Sequence, residues 1–231
     1  MLLDDKLYLP PIRDNPQRIL DVGTGSGIWA IDMADLFPSA HIISPRSPID
    51  DAQLNWTFEP ESFDFIHIRS LHGAIDDWPK LYGQLFKFLK PGGWFQHMEP
   101  GIALRCDNPA IKVEKDHSGP SSSTTPVIAW GAHLTSQTRR WRTGLVKLVS
   151  PRLPPRHLNF PTGWPKDLKL KELGRYVNFY MDMSLGGFAT YPMSQILGWS
   201  LEEITVLVGQ MRAAINDQKN FPNGDMYVTY G

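Results

Sequence analysis

Three glycines at alternate positions, Gly23, Gly25 and Gly27, follow the carboxylate of Asp21 in the segment Ile19-Leu20-Asp21-Val22-Gly23-Thr24-Gly25-Ser26-Gly27-Ile28-Trp29. Residues without a Cβ at such positions let the backbone bend sharply or lie directly against a ligand. A dinucleotide site spaces its glycines G-x-G-x-x-G, so that the third packs a helix whose N–H groups meet a pyrophosphate. Here the third glycine comes one residue early, and Asp21 stands two before the first. An anionic side chain beside the loop suits a ligand that carries positive charge better than it suits a pyrophosphate. Taken alone, the loop also fits an ordinary tight strand-to-helix turn. Cys106 is the single cysteine, which excludes an intramolecular disulfide framework and a Cys-rich zinc site and points to a reducing compartment.

The elements around the loop say how it is positioned. An apolar strand precedes it, and Gly27 to Phe37 reads as a helix with Ile28, Ile31 and Ala34 on one face, ended by Pro38. Ala40-His41-Ile42-Ile43 is a short strand, and Phe63-Asp64-Phe65-Ile66-His67-Ile68 another, alternating at period two. Between Asp77 and Lys90, Trp78, Leu81, Tyr82, Leu85, Phe86 and Leu89 recur at three- and four-residue steps, with Asp77 as N-cap and Pro79 in the first turn. Pro91-Gly92-Gly93 stops that helix, and Trp94 to Met98 follows as a strand. Strands alternating with helices predict an α/β fold, a parallel doubly wound sheet with helices on both faces, in which ligands lie beyond the carboxyl ends of the strands.

The 231 residues fit one α/β domain with an appended lobe. We read residues 1–100 as the binding core, 101–162 as an irregular insertion, and 163–231 as helices and a closing strand that complete the same domain. The stretch from His117 to Pro161 holds six Lys/Arg and no Asp/Glu, with Arg139-Arg140-Trp141-Arg142 among them. A basic patch with an aromatic suits nucleic acid or an acidic partner, yet this Pro- and Ser-rich composition reads first as a solvated insertion. Beyond it, Lys166 to Tyr180 predicts a helix with Leu173, Tyr176, Val177 and Tyr180 on one side. Ser200-Leu201-Glu202-Glu203 is a capping box opening a helix striped by Ile204, Leu207, Val208, Met211 and Ile215, and Met226 to Tyr230 is a last strand. A formal net charge of -1 gives no global pull toward nucleic acid or an anionic membrane. No apolar run has the length of a membrane span and the first residues are acidic, so a cytoplasmic or nuclear protein is expected.

Several segments together resemble one family. Ile19 to Pro38, Ile49-Asp50-Asp51-Ala52, Trp56-Thr57-Phe58, Ser62 to Arg69, Asp77-Trp78-Pro79-Lys80-Leu81, Leu89-Lys90-Pro91-Gly92-Gly93-Trp94, Gly163-Trp164-Pro165-Lys166-Asp167, Lys171 to Tyr176 and Leu197-Gly198-Trp199-Ser200 are similar to the fungal LaeA-like class I methyltransferases, in the family's order. The resemblance implies a Rossmann-like domain that binds S-adenosyl-L-methionine and a role in secondary metabolism. It assigns Asp21, Gly23, Gly25 and Gly27 to the motif that holds the methionine end of that cofactor. Asp51 and Ala52 match the acidic motif whose carboxylate accepts from the adenine amino group, with Asp50 as a second candidate. His67 and Arg69 close the strand nearest the sulfonium, where His67 is either a hydrogen-bonded wall residue or a general base. Trp29, Trp94 and Tyr82 read as core rather than as a cage for the cation.

The chain also departs from the family. Where members place an acidic residue at the end of the second strand to grip the ribose hydroxyls, this sequence has Ser44-Pro45-Arg46-Ser47-Pro48, and neither Pro45 nor Arg46 can accept those hydrogen bonds. The third strand of the family is missing, and Gln96 replaces a common Glu. The resemblance implies a methyltransferase of small-molecule or regulatory type, without a metal. A methyltransferase-like regulator acting through a protein partner is the alternative. A nicotinamide oxidoreductase loses on glycine spacing.

Overall fold

The computed structural model describes residues 3–44, 51–72, 74–101, 105–106, 156–162, 165–196, 198–217, 219 and 222–231. Its elements are β1 (Arg18–Val22), α1 (Ile28–Leu36), β2 (His41–Ile43), β3 (Phe63–Arg69), α2 (Trp78–Phe88), β4 (Leu89–Pro100), β5 (Arg105–Cys106), β6 (Arg156–Pro161), α3 (Leu168–Tyr191), α4 (Leu201–Asn216) and β7 (Pro222–Tyr230). Contacts divide the chain into two compact units, one built on Leu3–Pro100 with Met226–Gly231 and the other on Asn159–Asp225.

In the first unit β1 pairs parallel with β2 and β3, and β3 pairs parallel with β4. The end of β7 adds to β4 antiparallel, from Gln96 opposite Tyr230 to Pro100 opposite Met226. The strand order β2-β1-β3-β4-β7 is the doubly wound sheet expected, and among the described residues no strand lies beyond β2.

Each face carries its own core. Trp78, Leu81, Tyr82, Leu85 and Phe88 of α2 pack on Leu20, Val22, Ile66, Ile68 and Phe95. Asp77 caps α2 by accepting from Lys80 N at 2.9 Å, so the predicted helix, its cap and its stripe stand, except that Phe86 is exposed. On the other face Trp29 and Met33 of α1 meet Ile19 and Phe65, with Leu7, Tyr8 and Ile12 of the N-terminal segment against them. Here the predicted helix face is corrected: Ile28 and Ile31 are exposed, and Trp29, Ala30 and Met33 are buried. The indole N–H explains the choice, since it donates to Leu7 O at 3.0 Å and so turns Trp29 toward the sheet. β3 also breaks its alternation. The register shifts between Phe63 and Phe65, which sends Phe63 to the α2 side and Phe65 to the α1 side.

At the amino end of the sheet Asp64 fastens three segments. Oδ2 accepts from Gln17 N and Arg18 N at 2.9 Å, and Lys90 Nζ lies 2.8 Å from both carboxylate oxygens. Burial alone would raise this carboxyl, but the hydrogen bonds from Lys90, Arg18 and Gln17 hold it below the ordinary range.

The second unit centres on α3 and α4. Leu185, Ala189 and Met193 pack on Ile204, Val208 and Ile215. Ser200 caps α4 through the predicted capping box, with its Oγ accepting from Glu203 N at 3.2 Å and Glu203 Oε2 accepting from Ser200 N at 2.9 Å. α3 is longer than the sequence suggested, and its predicted stripe is turned outward: Tyr176 and Tyr180 are exposed while Gly174, Asn178, Leu185 and Ala189 are buried. β5 pairs with β7 at Arg105 and Cys106, and β6 is a strand in a proline-rich stretch whose pattern did not announce one. The Arg139-Arg140-Trp141-Arg142 patch lies outside the described residues.

Candidate functional site

The glycine loop follows the carboxyl end of β1, and all three of its glycines take positive φ: 78° at Gly23, 57° at Gly25 and 82° at Gly27. Any L-residue with a Cβ is strained there. Their surroundings separate their roles. A Cβ on Gly23 would collide with Leu71 Cδ2, whereas one on Gly25 would meet none of the described residues within 4 Å. Gly23 thus lets the loop after β3 close against the turn, and Gly25 bounds open space. Gly27 is the N-cap of α1, with no side chain capping the helix. Its N–H donates to Thr24 O at 3.0 Å and its carbonyl accepts from Ile31 N at 3.1 Å. Thr24 Oγ1 donates to Asp21 O at 3.0 Å and accepts from Ser44 Oγ at 2.8 Å, which ties the end of β2 to the loop.

Asp21 sits one residue before the end of β1, beside His67 of β3 in the sheet register. His67 Nδ1 is 3.0 Å from Asp21 Oδ1. A carboxylate only accepts, so Nδ1 carries the proton. The imidazole is fully buried and lies flat on the Trp29 indole, with centroids 3.8 Å apart and planes 11° apart. Burial pushes its pKa down, opposed by the hydrogen bond and charge of Asp21 and reinforced by Arg69 and His97. The ring is thus packed between β3 and α1 with no exposed surface. Among the described residues neither Asp21 Oδ2 nor His67 Nε2, both buried, has a hydrogen-bond partner. Trp29 and Tyr82 are core residues, and Trp94 packs partly buried on the α1 side.

The other matched acidic motif follows β2, and its Ala52 packs on the α2-side core. Asp51 Oδ1 accepts from Gln53 N at 2.8 Å in a local turn, and Ala52 O accepts from Trp56 Nε1 at 3.1 Å and Gln84 Nε2 at 3.3 Å, which anchors the segment on α2. Asp50 lies outside the described residues, as do Pro45 and Arg46. Gln96 serves the fold: its Oε1 accepts from Leu9 N at 2.7 Å and so holds the N-terminal segment.

A second polar cluster at the same end of the sheet escaped the sequence reading. Glu99, fully buried near the end of β4, takes Leu71 N at 2.8 Å and His97 Nε2 at 3.0 Å on Oε1. On Oε2 it takes His72 N at 3.2 Å and His72 Nδ1 at 3.3 Å. His97 Nδ1 in turn meets the Tyr82 hydroxyl at 3.1 Å. Burial alone would raise the Glu99 carboxyl, but the hydrogen bonds of His72 and His97, the charge of His97 and the Leu71 N–H bring it down to about 2. Burial, and then the charge of Glu99, push the Tyr82 phenol up. The one signal for this cluster in the sequence was His97 and Glu99 two apart on a strand, where both face one way. Among the described residues no group of three His, Cys, Asp or Glu is set to hold a metal.

The cofactor that the resemblance implied can be tested against this geometry. A cradle open at Gly25, a helix start without a side-chain cap and an orphaned carboxylate oxygen at Asp21 together fit a ligand bearing an ammonium and a carboxylate.

Known proteins agree. The family described as "Methyltransferase domain" matches residues 2–163. Methyltransferase pytC of Aspergillus terreus is 30% identical over 237 residues, covering 89% of this chain and 68% of its own length. The secondary metabolism regulator LAE1 of Cochliobolus heterostrophus is 29% identical over 255 residues, covering 96% of this chain and 80% of its own. Among solved structures, phosphoethanolamine N-methyltransferase 2 of Haemonchus contortus, in complex with S-adenosyl-L-methionine, has a TM-score of 0.50 at 16% identity, a likeness of fold. It covers 94% of this chain, which spans about half of that enzyme, 49%. With most of its length matched, the chain belongs to the methyltransferase domain family, on the fungal LaeA-like branch of the S-adenosylmethionine-dependent enzymes.

Proposed function

We propose that this protein transfers a methyl group from S-adenosyl-L-methionine to a small-molecule acceptor in secondary metabolism. The observation that carries the reading is the glycine loop itself, which leaves open space at Gly25 and an unpartnered Asp21 oxygen at the carboxyl end of β1. In this reading Gly23, Gly25 and Gly27 shape the cradle, Asp21 accepts from the cofactor's ammonium, and the start of α1 faces its carboxylate. Asp51 and Ala52, with Asp50, serve the adenine end. When bound, the cofactor supplies a methyl group already activated on a sulfonium. The chain's residues then have to hold two reactants in line and keep water out, which is where alignment lowers a barrier most. His67 acts within the wall. Names of relatives support the metabolic setting, since both a methyltransferase and a secondary metabolism regulator are among them.

The regulator supports a second reading, in which the same fold works through a protein partner with little turnover. Ser44 favours it: its hydroxyl is spent on Thr24, next to where the family's ribose acid would stand. Calorimetric titration with S-adenosyl-L-methionine, beside Asp21→Asn, tests the first reading. Asn keeps the hydrogen bond to His67 and removes the charge, and a charge-assisted hydrogen bond contributes about 1.5 to 3 kcal/mol, so affinity should fall roughly 10- to 100-fold. Equal binding by both proteins would remove Asp21 from the site, and no binding by folded wild type would favour the regulator.

A further inference from the structure

Asp21 is held on one side only. His67 Nδ1 donates to Oδ1 at 3.0 Å, while Oδ2 is buried and has no hydrogen-bond partner among the described residues. With a neutral imidazole, the pair carries the full negative charge of the carboxylate, fixed in direction, with one oxygen in reserve. With an imidazolium it is a neutral ion pair, and a cation approaching Oδ2 meets another cation hydrogen-bonded to the same carboxylate. We propose that His67 is the positioning residue that presents Asp21 to the cofactor's ammonium, and that a proton on His67 turns cofactor affinity down. The proposal rests on the methyltransferase reading and deepens it.

The surroundings pull the ring both ways. Asp21 on β1 favours the cation, and the Trp29 face on α1, stacked at 3.8 Å, holds an imidazolium well. Arg69 on β3 and His97 on β4 oppose it, as does burial. Gln96, the register neighbour on β4, is uncharged, and Tyr8 of the N-terminal segment lies on Phe65 with its phenol pushed above its ordinary alkaline value. The ring therefore titrates below the usual histidine range. Linkage requires the reverse effect as well: an ammonium on Asp21 makes His67 harder to protonate.

Isothermal calorimetry with S-adenosyl-L-methionine from pH 5 to 7.5 on wild type and His67→Asn tests this. Asn places an amide donor where Nδ1 stands and has no proton to gain. The ligand's own amine titrates near an α-amino value of about 7.7 to 8.0, outside the acid limb. Wild-type affinity should fall toward acid, approaching about tenfold per pH unit once His67 titrates. The Asn protein should stay flat across the same limb, whatever its affinity at pH 7.5, since it has no proton to gain. The histidine ring nitrogens, followed by NMR in wild type alone, give a second readout that needs no variant. His67 should hold its proton on Nδ1 at neutral pH, and ligand should move its titration to lower pH. Saturable binding with the same slope in both proteins, or a His67 titration that ignores ligand, overturns the proposal and leaves the cofactor site intact. Absence of binding at every pH by folded protein overturns the methyltransferase reading, and this inference with it.

Discussion

Gly23→Ala and Gly25→Ala place the same methyl group two residues apart, both at positive φ, and the structure separates what each should cost. The left-handed backbone alone costs an alanine about 1 to 2 kcal/mol at either position. At Gly25 none of the described residues lies within 4 Å of the new Cβ, so that strain is the whole folding cost. At Gly23 the new Cβ runs into Leu71 Cδ2; the Leu71 backbone is held by Glu99 Oε1 at 2.8 Å, so relief has to come from turning a side chain that packs partly buried on the α2-side core. Overpacking of this kind adds about 1 to 3 kcal/mol. Gly23→Ala should therefore destabilise by about 2 to 5 kcal/mol, against about 1 to 2 for Gly25→Ala. Urea denaturation followed by fluorescence measures both. Adding Leu71→Ala should recover the steric share only, giving a coupling of about 1 to 3 kcal/mol in the double-mutant cycle. Cofactor affinity should follow the opposite order, with Gly25→Ala losing binding while remaining folded. Equal midpoints for the two glycine variants, or strict additivity with Leu71→Ala, would refute the assignment of separate roles.

Glu99 has its carboxyl lowered to about 2 from 4.5, so it contributes stability that is fully present above pH 4.5 and lost as pH falls toward 2. That shift corresponds to about 3 kcal/mol, and the stability gap between wild type and Glu99→Gln should close over that window, as acid titration of unfolding would measure; a gap constant from pH 5 to 2.5 would count against the network. Tyr82→Phe removes the hydroxyl that meets His97 and should cost about 1 kcal/mol in denaturant unfolding. Ser200→Ala breaks the capping box of α4 and should cost about 1 kcal/mol as well, seen as faster amide exchange in the first turn of that helix.

How much was legible depended on whether the signal was local. The glycine loop, α2 with its Asp77 cap, and α4 with its Ser200 box each carry their instructions within a few residues, and the structure follows them. The face of α1 was not local: Ile28 and Ile31 form as good a stripe as Trp29 and Met33, and the choice is made by Leu7 O, 22 residues upstream of the indole. α3 misled in the same way, since nothing in its own periodicity says that Leu185 and Ala189 meet α4 while Tyr176 and Tyr180 do not. The Glu99 cluster joins positions 72, 82, 97 and 99, and a buried carboxylate can be recognised only once its donors are known. His67 sits between these cases. Its place at the end of β3 was readable, whereas its hydrogen bond to Asp21 and its stacking on Trp29 join three separate elements and were not.

Asp64 grips the entry to β1 and Lys90 of β4 at the amino ends of the strands, while the glycine loop and Glu99 lie at the carboxyl ends. Anchorage and ligand recognition therefore draw on different residues. A library of random variants scored for soluble yield would expose Asp64 and Lys90, and the same library scored for ligand capture would expose Asp21 and Gly25. A protein divided in this way can trade one ligand for another by changing its loops while the fastening at the far end keeps the chain assembled.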